Sequence, residues 1–122
     1  MKAIIEIAPR GNSFQQALAI ARKADKNKPL PTADYHLSFA DPRQLFAELT
    51  PARLTLLDTL KHKGPMSIYA LAGQLGRNYS NVHRDCSKLL EYQLVEKDAN
   101  ASVFVPWDEI LIRLSVGHPK AA

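Results

Sequence analysis

The sequence contains a single cysteine, Cys86, among 122 residues. One thiol cannot form an intrachain disulfide, and it cannot supply the several sulfurs that hold structural zinc. The histidines at positions 36, 62 and 118 also lack the spacing of metal ligands. We therefore expect no disulfide framework, no metal site and no cofactor.

Long apolar runs are missing as well. No stretch approaches the ~20 consecutive apolar residues that a membrane-spanning helix needs. No charged and then apolar leader ends in a small-residue cleavage site. We expect a cytoplasmic protein without a membrane partner.

The sequence signatures of common enzymes are absent too. The acidic residues are scattered, and no Gly-Lys-Ser/Thr phosphate loop occurs. No histidine accompanies a nucleophile in a recognisable arrangement. The sequence therefore predicts a protein that is not an enzyme.

The chain has enough apolar residues, 46%, for one hydrophobic core. Lysine and arginine number 16 against 12 aspartates and glutamates, which gives a net charge of +4. The excess is concentrated in residues 1–40 and 50–94, each with six basic and three acidic residues. A basic balance of this kind favours an anionic partner.

Residues 1–40 predict a strand, a helix and a second strand. Residues 3–7 are apolar apart from Glu6, a capping box begins a helix at Ser13, and residues 34–40 alternate between apolar and polar. The basic run at residues 22–28 fits a solvated helix face, and it also fits a second phosphate-binding patch. We expect this N-terminal extension to serve in dimerisation.

Residues 41–116 predict four helices, a hairpin and a final strand. Asp41 and Thr50 each precede a proline, the pattern of an N-cap followed by proline at the first helical position. Ser67 caps a third, short helix, which Gly76 ends. Residues 117–122 are expected to be a flexible tail.

The fourth predicted helix separates apolar from polar side chains. Successive residues turn by about 100°, which brings Tyr79, Val82, Cys86 and Leu89 to one side, and we expect this side to pack. The opposite side is polar and cationic, with Ser80, Asn81, Arg84, Ser87 and Lys88. Two short helices joined by a glycine-containing turn, the second one basic, have the layout of a helix-turn-helix, and residues 94–105 supply a hairpin behind it.

A protruding polar helix of this size fits the major groove of B-DNA. We expect two sets of contacts from it: Ser80, Asn81 and Arg84 to base edges, and Arg77, His83 and Lys88 to phosphates. His83 is equally compatible with a partly buried structural role. Lys97 or Asn100 in the hairpin would touch the flanking backbone or the minor groove.

The segment LGRNYSNVHRDCSKL at residues 75–89 is similar to the recognition-helix motif of a small prokaryotic family of winged helix-turn-helix transcriptional regulators, broadly akin to the MarR and ArsR types. The resemblance covers residues 35–116 and implies an α+β winged helix-turn-helix behind the N-terminal strand-helix-strand extension. Members are described as DNA-binding regulators, and some as antitoxins paired with a toxin that attacks RNA. The wing tip at residues 98–101 departs from the family because it lacks arginine and lysine.

The resemblance and the residues together lead to a sequence-specific regulator. We expect it to bind double-stranded operator DNA, to repress transcription, to act on its own promoter in the autoregulatory case, and to bind a toxin if it is an antitoxin. A homodimer is expected, with Ile110, Ile112, Leu114 and Val116 adding to the interface. The alternative is a winged-helix module that uses the same surface to bind a protein.

Two further residues are interpreted from their neighbours. Cys86 lies between Val82 and Leu89 on the helical wheel, so we expect an inert core residue and not a redox sensor. Trp107 is interpreted as an anchor for the final strand, with base stacking as the alternative.

Overall fold

The computed structural model describes residues 1–7 and 33–117, and the fold of this part is α+β. Its helices are α1 (Pro42–Glu48), α2 (Pro51–Lys63), α3 (Ile68–Leu75) and α4 (Tyr79–Glu91). Its strands are β1 (Lys2–Ile7), β2 (Tyr35–Phe39), β3 (Glu96–Lys97), β4 (Val103–Phe104) and β5 (Glu109–Ile112). The predicted helix from Ser13, the basic run at residues 22–28 and residues 118–122 of the predicted tail lie outside the described residues.

The predicted starts of α1, α2 and α3 and the predicted end of α3 are confirmed. The side chains of Asp41, Thr50 and Ser67 each accept a hydrogen bond from the backbone N–H three residues later, in the first turns of α1, α2 and α3. Such bonds satisfy N–H groups that have no partner inside the helix. Gly76 ends α3 with φ at 63°, in the left-handed region that glycine adopts without steric cost.

A parallel three-stranded sheet joins the two ends of the described chain. Its order is β2-β1-β5, and Ala3 of β1 lies between Tyr35 of β2 and Ile110 of β5. The first two strands were predicted, but their register and the central position of β1 were not. Since β5 belongs to residues 41–116, the sheet spans the predicted boundary at residue 40.

One hydrophobic core connects this sheet to the helices and the hairpin. Its almost fully buried members include residues of all four helices and of β1, β2 and β4: Ala3, Ile5, Leu37, Leu45, Leu56, Leu71, Val82, Leu89 and Val103. Trp107 is buried, stacks on the Tyr35 ring with centroids 5.4 Å apart, and donates its indole N–H to the Gln93 carbonyl at 2.9 Å. Trp107 therefore anchors the entry to β5, as predicted.

The hairpin of β3 and β4 is attached to the start of α3. Met66 and Val103 exchange two backbone hydrogen bonds, of 3.2 and 2.8 Å. The turn is closed by Asp98, whose Oδ1 accepts from the N–H groups of Asn100 and Ser102 at 2.9 and 3.0 Å. The hairpin therefore has a fixed position beside the α3–α4 pair.

Candidate nucleic-acid interface

The turn between α3 and α4 fixes how α4 is presented. The N–H of Arg77 donates to the Ala72 carbonyl at 3.1 Å, which closes the end of α3. Asn78 then caps α4, because its side-chain oxygen accepts from the N–H groups of Ser80 and Asn81 at 2.8 and 3.4 Å. Both ends of the turn are thus held by hydrogen bonds.

Burial of the apolar side of α4 sets its rotation. Val82, Cys86 and Leu89 are completely buried in the core. Ser80, Asn81 and Arg84 are consequently exposed, as the predicted base-reading set requires. Within the described part of the chain, Arg84 has no ion-pair partner.

Lys88 lies at the margin of this exposed face. It is half-buried, and its ammonium lies 3.9 Å from a carboxylate oxygen of Glu91 on the next turn. This contact partly offsets the positive charge that was predicted to hold a phosphate. Lys88 therefore contributes less free charge than Arg84.

Asp85 faces the interior although it follows Arg84 directly. It is only 8% exposed. Its Oδ1 accepts from Nε of Arg53 at 2.9 Å, and its Oδ2 accepts from a guanidinium nitrogen of Arg77 at 2.8 Å. Arg53 also donates to the backbone carbonyl of Glu48 at 2.8 Å. This Asp85 cluster, made of Arg53, Arg77 and Asp85, ties α1, α2 and the α3–α4 turn to α4.

Arg77 was predicted to hold a phosphate, and its observed contact is internal. Its side chain is 28% exposed, and Nη2 is engaged with Asp85. Its Nη1 atom is buried without a hydrogen-bond partner among the described residues. The geometry therefore gives Arg77 a structural ion pair, and its contact with a phosphate stays a prediction.

An aromatic cluster is exposed beside the polar face of α4. It consists of Tyr69, Tyr79 and His83, with ring centroids 6.3 Å apart for the two tyrosines and 5.9 Å apart for Tyr79 and His83. The prediction that Tyr79 packs in the core was wrong, because this first residue of α4 is 48% exposed. Of the two alternatives for His83, the partly buried structural role was wrong, since this residue is exposed.

Cys86 has the environment of a core residue. It is fully buried, and burial together with the neighbouring Asp85 carboxylate raises the pKa of its thiol to about 11. A reactive cysteine needs access to solvent and a lowered pKa. The geometry agrees with the predicted inert thiol.

The hairpin presents the two residues predicted for wing contacts. Lys97, at the end of β3, and Asn100, in the turn, are both exposed. The tip carries the Asp98 carboxylate and no cation between Lys97 and Val103. Any contact of this hairpin with DNA thus depends on one cation and on amide hydrogen bonds.

Four residues of the site were missed by sequence reasoning. Asn78 carried a usable signal, since asparagine before a polar helix start is a common N-cap. Arg53 and Asp85 carried none, because the two are 32 positions apart and their pairing is tertiary. Tyr69 was passed over because a tyrosine at the start of a short helix is compatible with either burial or exposure.

No group of three or more His, Cys, Asp or Glu side chains suited to a metal ion occurs among the described residues. A groove of about 440 Å³ runs between α2 and β5, lined by Leu54, Leu57, Asp58, Lys61, His62, Val105, Trp107, Asp108, Glu109, Ile110 and Ile112. None of these residues belongs to α4. In residues 1–7 and 33–117, no helix has the length and apolar character to cross a membrane.

The fold and the site define an α+β protein that presents a helix with an exposed cationic face. The chain belongs to the HVO_A0114 family, which matches residues 48–112, more than half of its 122 residues. The matched segment runs from the end of α1 through β5 and contains the whole candidate interface. No curated protein and no solved structure gives a significant match. The family name states no activity, so the function is argued from the geometry.

Proposed function

We propose that this protein is a sequence-specific DNA-binding transcriptional regulator with a winged helix-turn-helix fold. In this proposal α3 and α4 form the helix-turn-helix, α4 is the recognition helix, and the β3–β4 hairpin is the wing. The observation that carries the proposal is the distribution of charge on α4. Arg84 is exposed without an ion-pair partner among the described residues, whereas the neighbouring carboxylate of Asp85 is buried between two arginines.

The charge around α4 suits an anionic partner. Residues 64–90 contain three cations, Arg77, Arg84 and Lys88, and a single carboxylate, Asp85. Because that carboxylate is turned inward, the first exposed carboxylate along α4 is Glu91, its last residue, beside Lys88. The 13 residues of α4 form a helix about 20 Å long, which the major groove admits.

Ser80, Asn81 and Arg84 are the base-reading residues of the proposal. They lie in the first two turns of α4, the part of a recognition helix that usually reaches base edges. An arginine fork pairs with O6 and N7 of guanine, and an asparagine amide pairs with adenine. Lys88, His83 and Lys97 would contact phosphates, and Asn100 would contact the flanking backbone.

A homodimer completes the proposed regulator, since one recognition helix reads only a few base pairs and a two-fold pair doubles the reading. β5 has one unpaired edge among the described residues. Beyond it, Leu114 and Val116 are 42% and 97% exposed, and Ile112 at its end is 36% exposed. An apolar strand edge of this kind favours association. Light scattering at micromolar concentration should give twice the chain mass, and a monomer that still binds DNA would contradict the dimer.

Repression would follow from occupancy of a promoter. An antitoxin function would add a toxin as a protein partner, and its support is the family resemblance of residues 75–89. Co-expression with the protein encoded by the adjacent reading frame tests that extension separately.

The experiment that tests the proposal starts from a random-sequence pool of DNA duplexes. The full chain should enrich a defined sequence, and its affinity for that duplex should fall steeply between about 50 and 200 mM salt, because each phosphate contact releases counterions. Failure to enrich any sequence, together with binding that does not change with salt, would contradict DNA binding.

The second candidate is a protein-binding module that uses the same surface. The exposed rings of Tyr69 and Tyr79 favour it, because tyrosine is enriched in protein interfaces. Docking of a protein on these rings would not produce the log-log salt slope of phosphate binding. The same titration therefore separates the two candidates.

A further inference from the structure

We propose that the aromatic cluster docks on the sugar-phosphate backbone of the bound duplex, with the hydroxyls of Tyr69 and Tyr79 donating hydrogen bonds to phosphate oxygens. The inference rests on the proposed function. It adds Tyr69 and Tyr79 to the interface, and His83, whose ring lies against Tyr79, keeps the phosphate contact proposed above. It also assigns one face of the α3–α4 pair to a DNA strand beside the major groove.

The first argument is exposure. Tyr69 is 79% exposed and Tyr79 is 48% exposed, so the two rings shield each other only in part. Apolar ring area left in water is covered favourably by a partner, and the polar tip of a tyrosine suits an interface with one apolar and one polar side. Two such rings at adjacent helix starts therefore mark a contact surface.

The second argument is charge complementarity. The first turns of α3 and α4 contain no acidic residue, and each helix start carries a partial positive charge from its unpaired N–H groups. Arg84 directly follows His83, the member of the cluster that lies furthest along α4. These charges favour an anionic partner over a positively charged one.

The third argument is the chemistry of the partner. A deoxyribose-phosphate strand offers an apolar sugar face next to anionic oxygens, and tyrosine hydroxyls are among the groups that contact DNA phosphates. Stacking of bases on the rings would require an unpaired strand. The duplex backbone meets both the apolar and the polar part of these side chains.

The test uses the duplex that the full-length protein selects from a random pool. Tyr69→Phe and Tyr79→Phe remove the hydroxyl and keep the ring. Each should weaken binding about tenfold, the size expected for a hydrogen bond to a charged group. Because a hydroxyl is neutral and no base is read, the slope of log affinity against log salt and the selected sequence should stay as in the wild type.

Tyr35→Phe is the matched control. The buried Tyr35 hydroxyl donates to the Tyr92 carbonyl at 2.8 Å, so this variant should lose stability and keep its affinity for DNA. A second control scans the duplex with single methylphosphonates, which are neutral. When the phosphate that Tyr69 contacts is replaced by a methylphosphonate, the wild type should lose affinity. Tyr69→Phe should bind the modified and the unmodified duplex equally, because it has already lost this hydrogen bond.

The outcomes separate this inference from the proposed function. Wild-type binding with a steep salt slope, and unchanged binding by both phenylalanine variants, would overturn the aromatic docking site alone. A loss in the variants that no methylphosphonate position abolishes would overturn the phosphate assignment. A wild type that selects no duplex would overturn the proposed function itself.

Discussion

The neighbouring charged residues Arg84 and Asp85 lie on opposite sides of α4 and have opposite environments. Arg84 points into solvent without a partner among the described residues, whereas Asp85, one position later, is 8% exposed and held by two arginines. The turn of about 100° per residue separates them. The buried side of the helix therefore stabilises the fold, and the exposed side is available for binding. Substitutions on the buried side should change stability, and those on the exposed side should change binding.

The buried side fixes geometry more than it adds stability. A buried ion pair loses most of its Coulomb attraction to the cost of removing both charges from water, but loss of one partner leaves the other uncompensated. Asp85 has partners on α2 and in the α3–α4 turn. The cluster therefore sets the angle at which the exposed side of α4 is presented.

The largest expected effect is on stability and comes from Asp85→Asn. The substitution keeps the shape of the side chain but leaves Arg77 without its anion and Arg53 with only the Glu48 carboxylate, 3.6 Å from its guanidinium. We expect a loss of about 3–5 kcal/mol in the free energy of unfolding, measured by urea denaturation. Asp58→Asn is the matched control, since its side chain is 76% exposed, and it should cost less than about 0.5 kcal/mol. Equal unfolding midpoints for the two variants would contradict the comparison.

Cys86→Ser tests the same buried side with a neutral group. A hydroxyl that finds no partner in this apolar site should cost about 1–3 kcal/mol of unfolding free energy. The wild-type thiol, with its pKa raised to about 11, should react with a thiol-specific dye only as fast as the protein unfolds. Rapid labelling of the native protein and release of DNA by oxidant would show that this side is accessible.

Arg84→Ala tests the exposed side. The variant should unfold at the wild-type urea concentration, because an exposed arginine contributes little to the core. Its affinity for the selected duplex should fall by about 1–3 kcal/mol per half-site, with relaxed preference at one base pair. A folded variant with unchanged affinity and unchanged preference would refute the recognition-helix assignment and favour the protein-docking candidate.

Lys88→Ala should give the smallest change. Loss of one phosphate contact should weaken binding to all sequences alike and reduce the salt slope by about one per site. Glu91, 3.9 Å from the Lys88 ammonium, supplies the complementary variant. Glu91→Gln removes the competing carboxylate and should slightly strengthen binding at low salt. A change of sequence preference in Lys88→Ala would mean that this side chain reads a base.

Local signals in the sequence predicted the helices well. Asp41, Thr50 and Ser67 satisfy N–H groups three residues away, and Gly76 adopts the left-handed conformation that ends α3. Such signals act within one turn of the chain, so the sequence alone is enough to find them.

Contacts between residues far apart in the sequence could not be predicted from such local signals. The spacing of Asp85 on α4 does not reveal that Arg53 lies against it, and the apolar residues of β1 do not reveal β5 as a neighbour. Tyr79 was predicted wrongly for a related reason. It shares the helical side of Val82, but it lies one turn earlier, where the core has ended. Periodicity gives the direction of a side chain and not how far the core extends.

The central position of β1 in the sheet also affects the order in which the chain can fold during synthesis. Lys2 pairs with Glu109, roughly 100 residues later, and a ribosome adding about 5–20 residues per second needs on the order of 5–20 s to make that stretch. Strand β1 therefore cannot pair with β5 until late in synthesis. Helices α2, α3 and α4, whose contacts are closer in sequence, can form before that. Pairing between such distant segments slows folding. The part of the chain that we propose to bind DNA would be structured before the sheet behind it is complete, and this interval is when the nascent protein most needs protection from aggregation.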